Sequence, residues 1–223
     1  MTTFIGTSGN DFLFGTPGSD YIDGGGGDDF LVGFDPRPEA NNNPIQAEVA
    51  DAADVIIGGD GDDLIWAGGG NDYIDGGAGN DTIYGGVGND VMRGGEGNDV
   101  FAFEVLFASP GGPSPDSDLR SRNGTDLILD FTQGEDRLDF SRWQGLDADH
   151  PGVQFIGETD GPTALGYDAM TRVGFRYEEG STIVEVWRSF FTLLPGVEPV
   201  PAGPVAEYEI VGMVHLTASD FIL

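Results

Sequence analysis

The chain has 223 residues, 39 acidic against 9 basic, a formal charge of −30, 38 glycines and no cysteine. That charge argues against nucleic-acid binding, which needs Lys and Arg at the phosphates, and the lack of cysteine excludes disulfides and thiolate metal sites. With 39% apolar residues and 15 Phe the chain is too apolar for a disordered acidic tail. No apolar run is long enough to span a membrane. The N-terminal stretch MTTFIGTSGND lacks the basic and apolar regions of a signal peptide.

From Gly6 the sequence falls into blocks of nine: GTSGNDFLF, GTPGSDYID and GGGGDDFLV. An insert of 16 residues follows, Gly33 to Glu48, and the register resumes with VADAADVII, GGDGDDLIW, AGGGNDYID, GGAGNDTIY, GGVGNDVMR and GGEGNDVFA, ending at Ala102. Position six is Asp in every block: Asp11, Asp20, Asp29, Asp54, Asp63, Asp72, Asp81, Asp90 and Asp99. Position eight is always apolar: Leu13, Ile22, Leu31, Ile56, Ile65, Ile74, Ile83, Met92 and Phe101. An acidic surface selected only for solubility has no reason to hold such a phase.

Positions one to six are rich in Gly, Asn and Asp and predict a tight turn. Positions seven to nine predict a very short strand, with position eight facing one way and its neighbours the other. Two blocks then make one coil, and stacked coils make two parallel sheets with position eight packed between them. The expected fold is all-β: a parallel β-roll. Stacking also superimposes the turns, so carboxylates line up at a spacing where they repel unless cations intervene. Carboxylates with backbone carbonyls are hard oxygen ligands that suit Ca²⁺ better than Mg²⁺, which keeps its waters. Zinc is disfavoured, with only His150 and His215 available. The second acids Asp28, Asp60 and Asp62 are expected to face solvent.

The block matches G-G-x-G-x-D-x-U-x, and residues 6 to 102 closely resemble the RTX calcium-binding family. The resemblance implies calcium between turn n and turn n+2, held by the nine position-six Asp side chains and by turn carbonyls. The carbonyls so implied are those of Gly24, Gly26, Gly58, Asp60, Ala67, Gly69, Gly76, Ala78, Gly85, Val87, Gly94 and Glu96. The turns at Gly6, Gly24, Gly58, Gly76 and Gly94 would share one flank, and those at Gly15, Val49, Ala67 and Gly85 the other. Together they frame roughly four to eight ions. The block from Val49 lacks three glycines, so its sites are expected to be the weakest.

After Ala102 the repeat stops, and the organisation expected is a roll over 1–105 with the inserted loop at 33–48, an exposed loop at 106–123, and a β cap at 124–223. LILDF and RLDFS read as short strands around a QGED turn. This segment resembles the one that follows the repeats in serralysin proteases and in the repeat modules of alginate epimerases. The resemblance implies a further calcium site from Asp126 and Asp136; the alternative is that these two cap a hairpin turn. Arg172 to Arg188 predicts a hairpin about Glu179-Gly180. A Pro-rich loop at 195–204 and a last strand in AEYEIVGMVHL complete an antiparallel cap over the end of the roll, where an open edge invites aggregation.

The chain ends Asp220-Phe221-Ile222-Leu223, an acid and three apolar residues that resemble the export signal of type I secreted proteins. With no N-terminal signal, that implies a type I exporter as a transient partner and an extracellular location. No H-E-x-x-H, G-x-S-x-G or P-loop occurs, so catalysis is not expected. The function expected is a secreted calcium-binding module, expanded without metal and folded by external calcium. Two alternatives stand beside it: a calcium-dependent module binding an acidic, alginate-like polysaccharide, or a non-catalytic fragment of an RTX enzyme. A glycan groove would draw on Arg93, Arg120, Arg122, Arg137, Arg142, Trp66, Trp143 and Trp187. An adhesion face of aligned Thr has only Thr7 and Thr16 in phase.

Overall fold

Strand-forming triplets separated by turn residues fold where that spacing places them. A computed structural model describes residues 1–36, 51–103, 124–141, 153–159, 171–188 and 206–223. One sheet stacks β1 (Thr2–Ile5), β3 (Asp20–Gly26), β5 (Val55–Asp60), β7 (Tyr73–Ala78), β9 (Val91–Glu96) and β11 (Thr125–Ile128). The other stacks β2 (Phe12–Phe14), β4 (Phe30–Val32), β6 (Leu64–Gly69), β8 (Thr82–Val87), β10 (Val100–Ala102) and β12 (Arg137–Asp139). Every one of these pairings is parallel and joins strands two blocks apart. This is the parallel β-roll that the repeat predicts.

The register puts position eight in line down each sheet. Ile22, Ile56, Ile74, Met92 and Ile128 stack in the first, and Leu31, Ile65, Ile83, Phe101 and Leu138 in the second. All ten are fully buried, so the core is one side chain deep from each sheet.

Two boundaries differ from the sequence register. The turn after β4 opens with Gly33 and Phe34, and Asp51 to Asp54 complete it: Gly33 lies against Ala67 and Asp54, and Gly70 against Ala52. The extra residues therefore lie inside this turn instead of ahead of it, and Gly33 takes the place expected of Val49. The reason is steric, because the first place of a turn faces the carbonyl of the next turn and favours a residue without Cβ. The second difference is the end of the roll. Segment 124–141 adds another coil, with β11 on β9 and β12 on β10, so the roll continues to residue 141. A hairpin is ruled out because β11 and β12 lie in different sheets.

The cap grows out of the first sheet. β16 (Ala206–Ile210) pairs parallel with β11 and antiparallel with β15 (Ser181–Arg188), which pairs with β14 (Thr171–Glu178). The β14–β15 hairpin turns at Glu179 (φ 51°) and Gly180 (φ 94°), the paired positive φ that a two-residue hairpin loop demands. β13 (Val153–Glu158) adds parallel to β14, a strand the sequence reading did not include. β16 stops at Ile210, short of the stretch read as the last strand, and β17 (Phe221–Ile222) closes the second sheet against β12. Aromatic rings plug this end: Phe103 lies 3.9 Å from Tyr208 and 5.0 Å from Phe140, and Phe155 lies 4.7 Å from Phe221. The buried Glu185 is satisfied by Thr159 Oγ1 and Arg176 Nε, each donating at 2.8 Å. The loops expected at 106–123 and 195–204, and insert residues 37–48, lie outside the described residues.

Replacing Ile74, at the middle of the stack, by Ala should destabilise the calcium-loaded protein by about 2–5 kcal/mol, read by urea unfolding. Phe12→Ala, at a side chain 73% exposed, should change it by no more than about 0.5 kcal/mol.

Candidate metal centre in the stacked turns

Each position-six Asp precedes a strand whose register is fixed, so its carboxylate always meets the same partner two blocks away. Along one flank the backbone N–H groups of Asp11, Asp29, Asp63, Asp81 and Asp99 donate to Oδ1 of Asp29, Asp63, Asp81, Asp99 and Asp136, at 2.7–2.9 Å. Along the other, Asp20, Asp54, Asp72 and Asp90 donate to Asp54, Asp72, Asp90 and Asp126, at 2.8–3.0 Å. The flank assignment expected from the repeat is therefore the one found, and Asp126 and Asp136 extend the two ladders. They lie on opposite flanks and do not join in one further site.

The second carboxylate oxygen is the informative one. Oδ2 of Asp29, Asp54, Asp63, Asp72, Asp81, Asp90 and Asp99 is buried with no hydrogen-bond partner. A native fold rarely leaves such oxygens unpaired, so each is a candidate ligand atom. What they face is seen at the first glycine of the turn. A Cβ on Gly58 would lie 2.3 Å from Asp63 Oδ2 and 2.3 Å from the Gly76 carbonyl oxygen. The same pair of oxygens meets at Gly24 (Asp29 and Gly58), Gly76 (Asp81 and Gly94) and Gly33 (Asp54 and Ala67). Gly59 (φ 118°) and Gly61 (φ 129°) give the turn the curvature that brings these groups together.

The expected carbonyl ligands divide into two kinds. Those of Gly24, Gly58, Ala67, Gly76 and Gly94 point at the first residue of the preceding turn on their flank; Gly85 holds the same place in its turn. Those of Asp60, Ala78, Val87 and Glu96 each accept a ladder bond, from the N–H of Gly27, Gly61, Gly70 and Gly79, and keep one lone pair free. Gly26 and Gly69 hold that second place in theirs. Among the described residues no three acidic or His side chains gather on one point, so an ion here must draw on these backbone oxygens.

The first turn on each flank is built differently. Asp11 Oδ2 accepts from the N–H (2.5 Å) and Oγ1 (2.9 Å) of Thr7, and Asp20 Oδ2 from those of Thr16 at 2.6 and 2.9 Å. Asp136 Oδ2 is likewise held by the Thr132 N–H at 2.6 Å. In these turns threonine or its backbone does what a cation would do elsewhere. Thr7 and Thr16 thus serve the turn interior, not an adhesion face. The signal was in the sequence: Thr stands where later blocks have Gly.

Burial raises the carboxylic acids along both ladders. Asp63, Asp90 and Asp99 are pushed up to about 6, Asp51, Asp54 and Asp81 to about 7, and Asp72 to about 9. Neighbouring carboxylates add to the rise, as Asp90 does at Asp72, while the ladder N–H groups oppose it. Asp29, Asp126 and Asp136 shift upward for the same leading reason.

Among the described residues the remaining candidates do not come together in a second centre. Arg93 is ion-paired with Asp75 (3.2 Å) and Asp130 (3.3 Å), and Trp66 packs between Phe34 and Tyr84. Arg137 lies exposed at the start of β12. His215 meets the Tyr177 hydroxyl at 3.1 Å in the cap. Arg120, Arg122, Arg142, Trp143, His150 and the side chain of Trp187 lie outside the described residues.

Residues 4–33, 50–83 and 68–101 match the family model of the RTX calcium-binding nonapeptide repeat. No curated protein matches the chain. Among solved structures it is similar to two subunits of the mannuronan C5-epimerase of Azotobacter vinelandii. The AlgE6R3 subunit is 23% identical, with 98% of this chain and 80% of that one covered and a TM-score of 0.31. The AlgE6R2 subunit is 24% identical, with 88% of each covered and a TM-score of 0.32. The extracellular lipase LipA of Serratia marcescens is 14% identical, with a TM-score of 0.30; this chain is covered fully and spans 40% of the lipase.

The raised acids make a pH prediction for the metal-free protein. Folded-state values above the unfolded value of about 3.9 mean that the roll holds protons the unfolded chain releases. That contribution is full below about pH 4 and is lost as pH rises through the folded values of about 6 to 9. In metal-free buffer the roll should be more stable at about pH 5 than at about pH 8, measured by urea unfolding followed by circular dichroism.

Proposed function

We propose that this chain, which carries RTX calcium-binding nonapeptide repeats, is a non-catalytic secreted module that folds when Ca²⁺ joins its stacked turns. The observation that carries the reading is the run of buried, partnerless Oδ2 atoms; those of Asp29, Asp54, Asp63 and Asp81 meet a backbone carbonyl from the next turn at the first-place glycine of their own turn. Asp29, Asp54, Asp63, Asp72, Asp81, Asp90 and Asp99 are the side-chain ligands, so the module takes about seven ions, one for each such oxygen. Asp11, Asp20 and Asp136 act as braces for their own turns, through threonine.

Ion binding and folding are one process here. At neutral pH the ladders concentrate negative charge in a dry flank, and only the folded state assembles complete ion sites. Binding to the native state alone adds stability that grows with calcium concentration. A chain made at low calcium therefore stays expanded and passes through a type I exporter, then folds outside. In the folded chain Asp220 and Phe221 are buried at the end of the roll. On this reading an exporter that grips the last residues must do so before the roll closes. The acidic-glycan reading has less support, since Arg93 is spent on Asp75 and Asp130 and Trp66 on its aromatic neighbours.

Circular dichroism of metal-stripped protein at pH 7.5 should show a largely unfolded chain that gains β structure with millimolar Ca²⁺ and not with equal Mg²⁺. An unchanged β spectrum throughout refutes the proposal. Metal analysis of the calcium-loaded protein should show fewer bound ions for Asp63→Asn and an unchanged number for Asp11→Asn.

A further inference from the structure

The insert-bearing turn differs from its neighbours in chemistry as well as in length. The next turn on its flank has glycines at positive φ in its second and fourth places, Gly68 (113°) and Gly70 (127°). In the insert-bearing turn those places belong to Phe34 and Ala52, neither at positive φ. Gly33 still aims its carbonyl at Gly15, as the other first places do, but the backbone beyond it lacks the curvature that glycines give the other turns. The third place, where Asp60 and Glu96 of other turns are exposed, is filled here by Asp51 with its carboxylate buried.

Both carboxylate oxygens of Asp51 are buried without a hydrogen-bond partner. Oδ2 comes within 3.2 Å of where a Cβ on Gly68 would lie, so the side chain reaches across to the following turn. Asp54, only 2% exposed, aims its own partnerless Oδ2 at Gly33 from 2.5 Å, measured to the Cβ position, and the Ala67 carbonyl arrives there at 2.1 Å. Two unpaired carboxylates and a carbonyl are thus gathered between the insert-bearing turn and the Ala67 turn.

We propose that Asp51 is a metal ligand particular to this chain, completing with Asp54 and the Ala67 carbonyl a two-carboxylate site that binds a hard cation more tightly than the one-carboxylate sites. The inference rests on the calcium-binding reading above. A second carboxylate raises affinity in an oxygen-ligand site because ligand charge sets the binding constant. It also adds negative charge in the turn that lacks the curvature of its glycine-rich neighbours. The turn with the fewest glycines, on this view, is the first to load.

Trp66 provides the readout, since it immediately precedes Ala67 and lies 6.2 Å from Phe34, ring to ring. Terbium, a hard-oxygen probe, should be titrated into the full metal-stripped chain under tryptophan excitation, with calcium competition to follow. The first equivalent should give sensitised emission that Trp66→Phe removes. Asp51→Asn should weaken binding of that equivalent by about tenfold or more, and calcium should displace it correspondingly more easily. Asp63→Asn, on the other flank, should leave the first equivalent unchanged and reduce later ones. Circular dichroism in saturating calcium should show all variants folded. Unchanged affinity at the first equivalent in Asp51→Asn overturns the inference while leaving calcium binding intact. A wild-type chain that binds neither terbium nor calcium overturns the reading beneath it.

Discussion

The architecture depends on how one carboxylate divides its two oxygens. From Asp29 to Asp99, Oδ1 of each in-phase Asp accepts the main-chain N–H of the Asp two turns before it, as Asp81 does for Asp63 at 2.8 Å. That bond welds adjacent coils edge to edge and fixes the side chain's rotation. Oδ2 is then committed to a dry interior with no protein donor to meet it. An amide could supply the first oxygen, but its second group would be a donor aimed at the next turn's carbonyl. Only an acid leaves a negative acceptor there, which is why the residue is Asp in every block.

From that division follow the other regularities. The first place of a turn favours glycine because two oxygens crowd its Cα, as at Gly58. Position eight needs a single apolar side chain because the two sheets lie close enough for one layer to fill the gap. A core this thin contributes little per coil, so the flanks must contribute as well. Thr7 and Thr16 show the other way of meeting the same demand. A hydroxyl and an N–H satisfy the acid locally in the first turn of each flank.

The period made the roll legible before any coordinates: the Asp ladder, the buried line from Ile22 to Phe101, and the alternation of flanks across the insert all follow from counting by nine. The β14–β15 hairpin was legible from its alternation and its Glu179-Gly180 turn. The sequence is less legible where the count is broken. Asp126 continues a ladder, but a long segment separates it from Phe103. Asp136 continues the other across a turn one residue longer than its neighbours. Gly33 reads as part of the insert, because the residues after the gap can be aligned as a full block from Val49. Choosing between the two required knowing that the Ala67 carbonyl presses on that first place. Asp51 reads like the exposed acids Asp60 and Glu96 at the same place of their blocks, and β13 joins the cap through pairing partners far along the chain.

The in-register distance between laddered neighbours is 18 residues wherever no insert intervenes. Each such unit brings the same cross-section, a pair of core side chains and a rung for either flank. Lengthening the array by a whole unit would leave every existing interface as it is. Extra residues inside a turn, as after Phe34, are tolerated because the rungs on both sides keep their register: the Asp20 N–H still meets Asp54 Oδ1 at 2.8 Å across the insert. A protein of this kind can therefore change its size by tandem duplication and acquire new loops without redesigning what lies beneath.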